Sequence, residues 1–413
     1  MSRPPIRASR AGGVLYLSYD GMLEPLGQSQ VLAYLERLAP QRPIHLLSFE
    51  KPADLADTSA LARVHARMAA AGIHWHPRRY HKRPSALATA WDILVGITTG
   101  SVLAWRHRLR IVHARSYVPS VMALAIKRLT GARFLFDMRG FWADERVDGS
   151  IWPRDSGLYR MAKGFEQRFL LRADHVVSLT HAAVGVMQQF DYLAGRTPPF
   201  TVIPTCADLD RFRPMARPDA HADQRFTLGY VGSAGTWYLF DAVAACFARL
   251  LQLQPDARIL IINRGEHDHI RQALANAGVP AQAVELRSAD HAEVPAQLAR
   301  MDAAVFFIRP VYSKQASAPT KLAELLGCGV PCLANAGVGD MAGVLEDDRV
   351  GVALQRFDTA ALDAGLAALL ALCAEPGVAA RCVDAARRHF SLDEGVARYS
   401  AIYQSLLVSP EVR

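Results

Sequence analysis

Cysteine is scarce and unpatterned. The six present (Cys206, Cys246, Cys328, Cys332, Cys373, Cys382) form no C-x-x-C pair and no regular spacing. A disulfide framework or a cysteine-based metal site is therefore not expected, and a reducing cytoplasm is the simpler setting. The dinucleotide fingerprint G-x-G-x-x-G is missing too, which counts against a nicotinamide oxidoreductase. No uninterrupted apolar run reaches the roughly 20 residues of a membrane span. The nearest candidate, Leu87–Trp105, is broken by Asp92, two glycines and several threonines, and reads as a buried helix. Near the N-terminus the apolar run is too short for a signal peptide before Asp20 interrupts it. Low-complexity tracts and short repeats are lacking, and no basic helix with stacking aromatics points to nucleic acid.

What remains is a 413-residue chain, long enough to favour two domains over one core. Its 51% hydrophobic and 21% charged residues place it among soluble globular enzymes. The net charge of +8 favours anionic partners. Basic clusters, "HPRRYHKR" and "RHRLR", flank Leu87–Trp105. They fit either docking on an anionic leaflet or a solvated basic face.

Short apolar runs alternate with helical periodicity. The first series of predicted strands is Val14–Ser18, Ile44–Phe49, Ile73–His76, Ile111–Ala114, Phe134–Met138, His175–Leu179 and Thr201–Ile203. After the Pro-rich, charged stretch "PTCADLDRFRPMARPDAHADQ" the pattern restarts with "FTLGYVG", "RILIINR", "AVELRS", "DAAVFFI", "PCLAN" and "VGVAL". Repeated βα units imply an α/β chain with two parallel sheets, each covered by helices. The boundary falls near 205–225. The closing segment "FSLDEGVARYSAIYQSLL" is amphipathic and has no local partner, so it is expected to cross back to the first domain. The domains are then 1–205 plus about 392–413, and 206–391. Loops at the carboxyl ends of the strands would meet across a shared cleft.

Four loops carry candidate chemistry. After the first strand, in "SYDGMLEPLGQSQVL", Gly21 and Gly27 permit a tight backbone path and Gln28 and Ser29 sit at a helix start, where free amides favour an anion or a hydroxyl. After the fifth, "FDMRGFWADERVDG" crowds Asp137, Arg139, Trp142, Asp144, Glu145 and Arg146 into a loop. Arg139 could stabilise negative charge there, and the acids could bind sugar hydroxyls or orient an acceptor. In "YVGSAGTWYLF", Gly232 and Gly235 permit a close backbone approach, with Ser233 and Thr236 as helix caps. Asn263 and Arg264 could reach a nucleotide, and the backbone near Arg287–Ser288 could read a base edge.

The fourth loop opens "SAPTKLAELLGCGVPCLANAGVGD", Ser317 to Asp340. Pro319 suits a helix start, so Ser317, Ala318 and Thr320 would surround exposed amides able to bind phosphate. Lys314 and Lys321 add cationic charge. Glu324 lies one turn after Thr320, placed for two vicinal ribose hydroxyls.

Together "GMLEPLGQSQVL", "VIPTCADLDRFRP" and "SKQASAPTKLAELLGCGVPCLANAGVGD" resemble segments of the family 4 retaining glycosyltransferases, over nearly the whole chain. The resemblance implies the GT-B fold, two Rossmann-like domains facing across a cleft. It implies sugar transfer from a nucleotide-sugar to an acceptor hydroxyl with retained configuration; the basic patches would fit an acceptor from cell-surface polysaccharide or glycolipid synthesis. The third segment matches the family's Glu-x7-Glu motif. Glu324 corresponds to its ribose-binding second glutamate, whereas Ala316 replaces the sugar-binding first. Arg139 stands where relatives often carry an active-site histidine. Arg139, Asp137, Lys314 and Lys321 are thus the candidate catalytic residues. Gly232, Ser233, Thr236, Asn263, Arg264, Ser288, Ser317, Thr320 and Glu324 would hold the donor. Asp20, Gly27, Gln28, Trp142, Asp144 and Glu145 would meet a carbohydrate or lipid-linked acceptor. No cofactor, metal or nucleic acid is expected, and the setting is cytoplasmic, with the inner membrane face as a possible docking surface. A GT-B epimerase and a catalytically silent binding subunit are the alternatives.

Overall fold

The structure, a computed structural model, describes residues 12–216, 225–290 and 292–408. The basic N-terminal stretch, the middle of the Pro-rich segment and the last five residues lie outside them. Seven strands form the first sheet: β1 (Gly13–Ser18), β2 (Ile44–Glu50), β3 (Ile73–Arg79), β4 (Leu109–Arg115), β5 (Arg133–Asp137), β6 (His175–Ser178) and β7 (Phe200–Val202). Their order is β3-β2-β1-β4-β5-β6-β7, all parallel. Six more form the second: β8 (Thr227–Val231), β9 (Arg258–Ile262), β10 (Val284–Arg287), β11 (Ala303–Val305), β12 (Cys332–Asn335) and β13 (Gly351–Leu354). Their order, β10-β9-β8-β11-β12-β13, is also parallel throughout. Every residue of β1, β2 and β8 is buried, as double-covered parallel sheets require. All thirteen runs expected to be strands are strands, with ends moved by one to three residues.

One face of the first sheet packs on Tyr34, Leu35, Val64 and Met68, and on the closing helix Leu392–Val408 through Leu392, Val396, Tyr399, Ile402, Tyr403 and Leu406. Tyr399 and Tyr403 reach into the sheet itself: Tyr399 donates to Asp137 at 3.1 Å, and Tyr403 bonds His113 at 2.7 Å. The opposite face is covered by the helices Ser85–His107, Tyr117–Thr130, Gly157–Arg172 and His181–Gln188.

Two local expectations change. The helix Ser85–His107 is not buried all round. It seats Gly96 against Met122 and Gly100 against Ile126 and leaves its outer apolar face in solvent. The stretch after β5 is less a loop than a helix, Trp142–Asp148, entered through Arg139 (φ 57°) and Gly140 (φ 131°). At seven residues it is too short and too charged to show a helical period.

Candidate functional site

The loops that follow β5 and β6 meet those that follow β8, β11 and β12. Lys314 Nζ pairs with Glu145 at 2.6 Å and lies 3.8 Å from the Trp237 ring centroid. The Ser313 amide donates to Asp148 at 2.9 Å, and Thr180 Oγ1 donates to the Gln315 carbonyl at 2.6 Å. Asp340 accepts from the His181 and Ala182 amides (2.7 and 2.9 Å), capping the start of the helix His181–Gln188 from the other sheet's side. Phe141 stacks on Tyr312 with centroids 5.3 Å apart. The two sheets therefore face each other across one cleft, held closed by an ion pair, hydrogen bonds and an aromatic contact.

Within it, the segment Ser317–Asp340 builds a compact site. Pro319 (φ −67°, ψ 120°) leads into the helix Thr320–Gly327, and no side chain caps its first turn. Gly339 (φ +48°) brings the following turn so close that a Cβ there would stand 2.3 Å from the Ser317 carbonyl. Lys321 points inward. Its Nζ lies 3.8 Å from the Tyr238 centroid, 4.9 Å from Tyr230 and 5.5 Å from Phe306, yet it makes no hydrogen bond. It stands beside Gly232, where an added Cβ would be 3.0 Å away. Burial pushes its amine down to about 7, only partly opposed by Glu324 and Glu266. A buried amine without a hydrogen-bond acceptor is costly unless an anion arrives. Glu324, one turn on, is half-buried.

Residues 225–372 match the family model described as "Glycosyl transferases group 1". This stretch, most of the second domain, is thus similar to the group 1 glycosyltransferases. Solved structures extend the likeness to the whole chain. Sucrose-phosphate synthase from Thermosynechococcus elongatus superposes with a TM-score of 0.71 at 14% identity, over 97% of this chain and 100% of that one. A glycosyltransferase from Rickettsia africae ESF-5 gives 0.68 at 13%, covering 97% and 100%. Anabaena HepE, in complex with UDP and glucose, gives 0.66 at 13%, covering 95% and 99%. At such identities the likeness is one of fold, and the fold is GT-B. No curated sequence matches the chain.

The glycine loop after β8 is not an open phosphate cradle. The Glu266 carboxylate fills it, accepting from the Ala234 amide, Ser233 Oγ (both 2.8 Å) and Asn263 Nδ2 (2.9 Å). Burial alone would raise its pKa, but these donors hold it below the usual carboxylate range. Gly232 (φ 103°) and Thr236 (φ 56°) shape the turn. Asn263 also faces inward: it donates to the Gly232 carbonyl at 3.0 Å, and its Oδ1 accepts from Gly265 and Glu266 at 3.0 and 2.7 Å. Ser233 and Asn263 thus organise the loop and are not free to take up a donor directly. The signal for this is local: in N-R-G-E an Asn oxygen can bond the amides two and three residues on. Arg264 is exposed beside Asp290 at 3.3 Å, and Ser288 Oγ donates to the Asn263 carbonyl at 3.2 Å. Ser317 and Thr320 flank the helix start, half-buried. Lys314, expected beside Lys321 as a second free cation, is instead committed to Glu145 across the cleft.

On the first domain the acids are also engaged. Asp137 is buried, 3.5 Å from His113 Nε2, 3.8 Å from Arg115 and 3.9 Å from Arg139. Burial raises its pKa, but Arg139, His113 and Arg115 bring it below the usual range. It is a buried charge centre out of an acceptor's reach. Asp144 is likewise buried, accepting from Tyr159 (2.7 Å) and Lys163 (2.9 Å), so it holds the helix Trp142–Asp148 in place. Trp142 packs edge-on to Trp152 at 5.1 Å rather than offering a stacking face. Arg139 contributes to the Asp137 cluster and remains partly exposed. The helix expected to start at Gln28 starts three residues earlier, at Pro25, so the Gln28 amide is not free but donates to the Glu24 carbonyl at 3.1 Å, while Glu50 of β2 accepts from the Met22 (2.9 Å) and Leu23 (3.2 Å) amides. A Cβ on Gly27 would meet the Gly21 carbonyl at 2.0 Å, so that glycine serves a tight backbone approach. Asp20 pairs with Arg115 at 3.3 Å, and Gln28 is half-buried nearby. The chain's Asp-x-Asp spacing, Asp208–Leu209–Asp210, lies in the segment between the sheets, with Asp208 paired to Arg37 at 3.4 Å. Among the described residues no group of three metal-ligating side chains could hold a metal.

Proposed function

We propose that the chain transfers a sugar from a nucleotide-sugar donor to an acceptor hydroxyl with retained configuration. The observation that carries this reading is the buried Lys321 ammonium, lacking any hydrogen-bond partner, beside Gly232 and the uncapped start of Thr320–Gly327. Departure of a nucleoside diphosphate leaves negative charge on its terminal phosphate. A preorganised cation and helix-start amides in a low-dielectric pocket stabilise that charge where it develops. Lys321 and the Ser317–Thr320 amides would grip the phosphate, and Glu324 would take the ribose hydroxyls. These groups supply the charge a divalent ion would otherwise bring, so transfer proceeds without a metal.

Retention is supported by the state of the carboxylates. Asp20 is paired with Arg115, Asp137 with three cationic or imidazole partners, Asp144 with Lys163 and Glu145 with Lys314. A direct inverting displacement, or an epimerisation, needs a free acid or base at the sugar. In this reading the leaving phosphate itself takes the acceptor's proton. HepE was solved with UDP and with UDP-glucose, which makes UDP-sugars the first donors to try. A cell-surface polysaccharide or glycolipid precursor is the proposed acceptor class.

One observation favours a second reading, a silent binding subunit. Ala316 replaces the sugar-binding glutamate and is buried in the first domain's core. Thermal shift with UDP, GDP and their sugars, followed by product analysis, separates the readings. Donor at a hundred times its dissociation constant should stabilise by about 2.7 kcal/mol, and transfer should follow with a suitable acceptor. Binding without any turnover leaves the silent subunit. No shift with any nucleotide rejects both.

A further inference from the structure

Residues 73–133 contain eleven lysines and arginines and a single acid, Asp92, so this stretch alone exceeds the +8 of the whole chain. Asp92 is fully buried, where it accepts from Tyr19 at 2.8 Å and bonds His81 at 2.6 Å. No exposed acid therefore interrupts this surface between residues 73 and 133.

Across it lies the helix Ser85–His107, 23 residues and about 34 Å long. Its outward residues Leu87, Trp91, Leu94, Thr98, Val102 and Trp105 follow one another at steps of three and four, a single stripe along the helix. The apolar members are 72%, 56%, 51%, 56% and 60% exposed in that order. Exposed Arg79, Lys82 and Arg83 stand before the helix, and Arg106, Arg108 and Arg110 at its other end. The inner face is committed to the fold: Gly96 and Gly100 leave no room for a Cβ against Met122 (2.3 Å) and Ile126 (2.6 Å). The helix is long and apolar enough to cross a bilayer, but leaving the sheet would strip the first domain's core. It can lie on a membrane, not through one.

We infer that this face docks on an anionic lipid surface, with the helix in the headgroup plane, its Leu-Trp stripe toward the acyl chains and the two basic clusters on lipid phosphates. Tryptophans at both parts of the stripe suit that depth. A second copy of the chain fits less well. Any two-fold pairing through the stripe would set basic clusters against basic clusters with no exposed acid between them. The docking face reaches the cleft through Tyr19, which bonds Asp92 and packs on Tyr80. Docked, the first domain would hold its acceptor side near the lipid surface.

The test uses the full chain without donor, so it stands apart from the transfer reading. Cosedimentation is measured on phosphatidylcholine vesicles with and without about 30% phosphatidylglycerol, at low and high salt. Binding to the anionic vesicles should be tenfold tighter or more, and high salt should release it. Leu94→Glu with Val102→Glu should abolish binding while the melting temperature stays unchanged, since both side chains are in solvent. Reversing Arg106, Arg108 and Arg110 to Glu should weaken binding at least tenfold. Equal affinity for neutral and anionic vesicles overturns the proposal, as does no vesicle binding at low salt. A dimer in sedimentation velocity that Leu94→Glu dissociates would also overturn it, assigning the stripe to a second copy.

Discussion

Lys321 is the residue on which donor binding turns. Its amine is pushed from the ordinary lysine value to about 7 by burial. Below that pH it is charged in both the folded and unfolded chain, and folding bears the full burden of burying the charge. As pH rises toward the ordinary lysine range, near 10.4, the folded amine is already neutral and the burden fades. Lys321→Met should therefore stabilise the ligand-free protein at pH 7 by about 1–3 kcal/mol in urea unfolding. The gain should shrink toward pH 10. A diphosphate restores the charged form, so wild-type nucleotide affinity should fall as pH rises above about 7, whereas the Met variant should show weak binding without that slope. A residue that destabilises the empty protein and strengthens the liganded one is the usual mark of a binding site.

At the scale of elements, the turn Gly337–Gly339 holds the helix start in place. Gly339→Ala meets both a positive φ of 48° and the Ser317 carbonyl at 2.3 Å. It should destabilise the protein by more than about 1 kcal/mol in denaturant unfolding and weaken nucleotide binding measured in parallel. The strands were legible in the sequence because parallel, double-covered strands are short β-branched runs between glycine and proline punctuation. The helix Trp142–Asp148 was not, because two turns of WADERVD carry no apolar period. Nor was the filling of both glycine loops by carboxylates. Glu50 and Glu266 sit 28 and 32 residues from the amides they occupy, and only the folded sheet brings them there. The acids after β5 looked free in the sequence for the same reason: Lys163, Arg115 and Tyr399, their partners, come from other elements.

The whole molecule is two parallel-sheet domains tied across a cleft by Lys314–Glu145, Asp340 and the closing helix. Asp340→Ala removes two charge-assisted bonds at a helix start, worth about 1–2 kcal/mol. In solution scattering the variant should have a larger radius of gyration than wild type, and nucleotide should restore the compact value. The account as a whole rests on nucleotide being gripped at Lys321, and calorimetric titration of UDP into wild type and Lys321→Met at pH 6 and pH 9 tests it most directly. Wild type should bind at pH 6 about tenfold or more tightly than at pH 9, and Lys321→Met should bind weakly and equally at both. Wild-type affinity retained in Lys321→Met at pH 6 would contradict it.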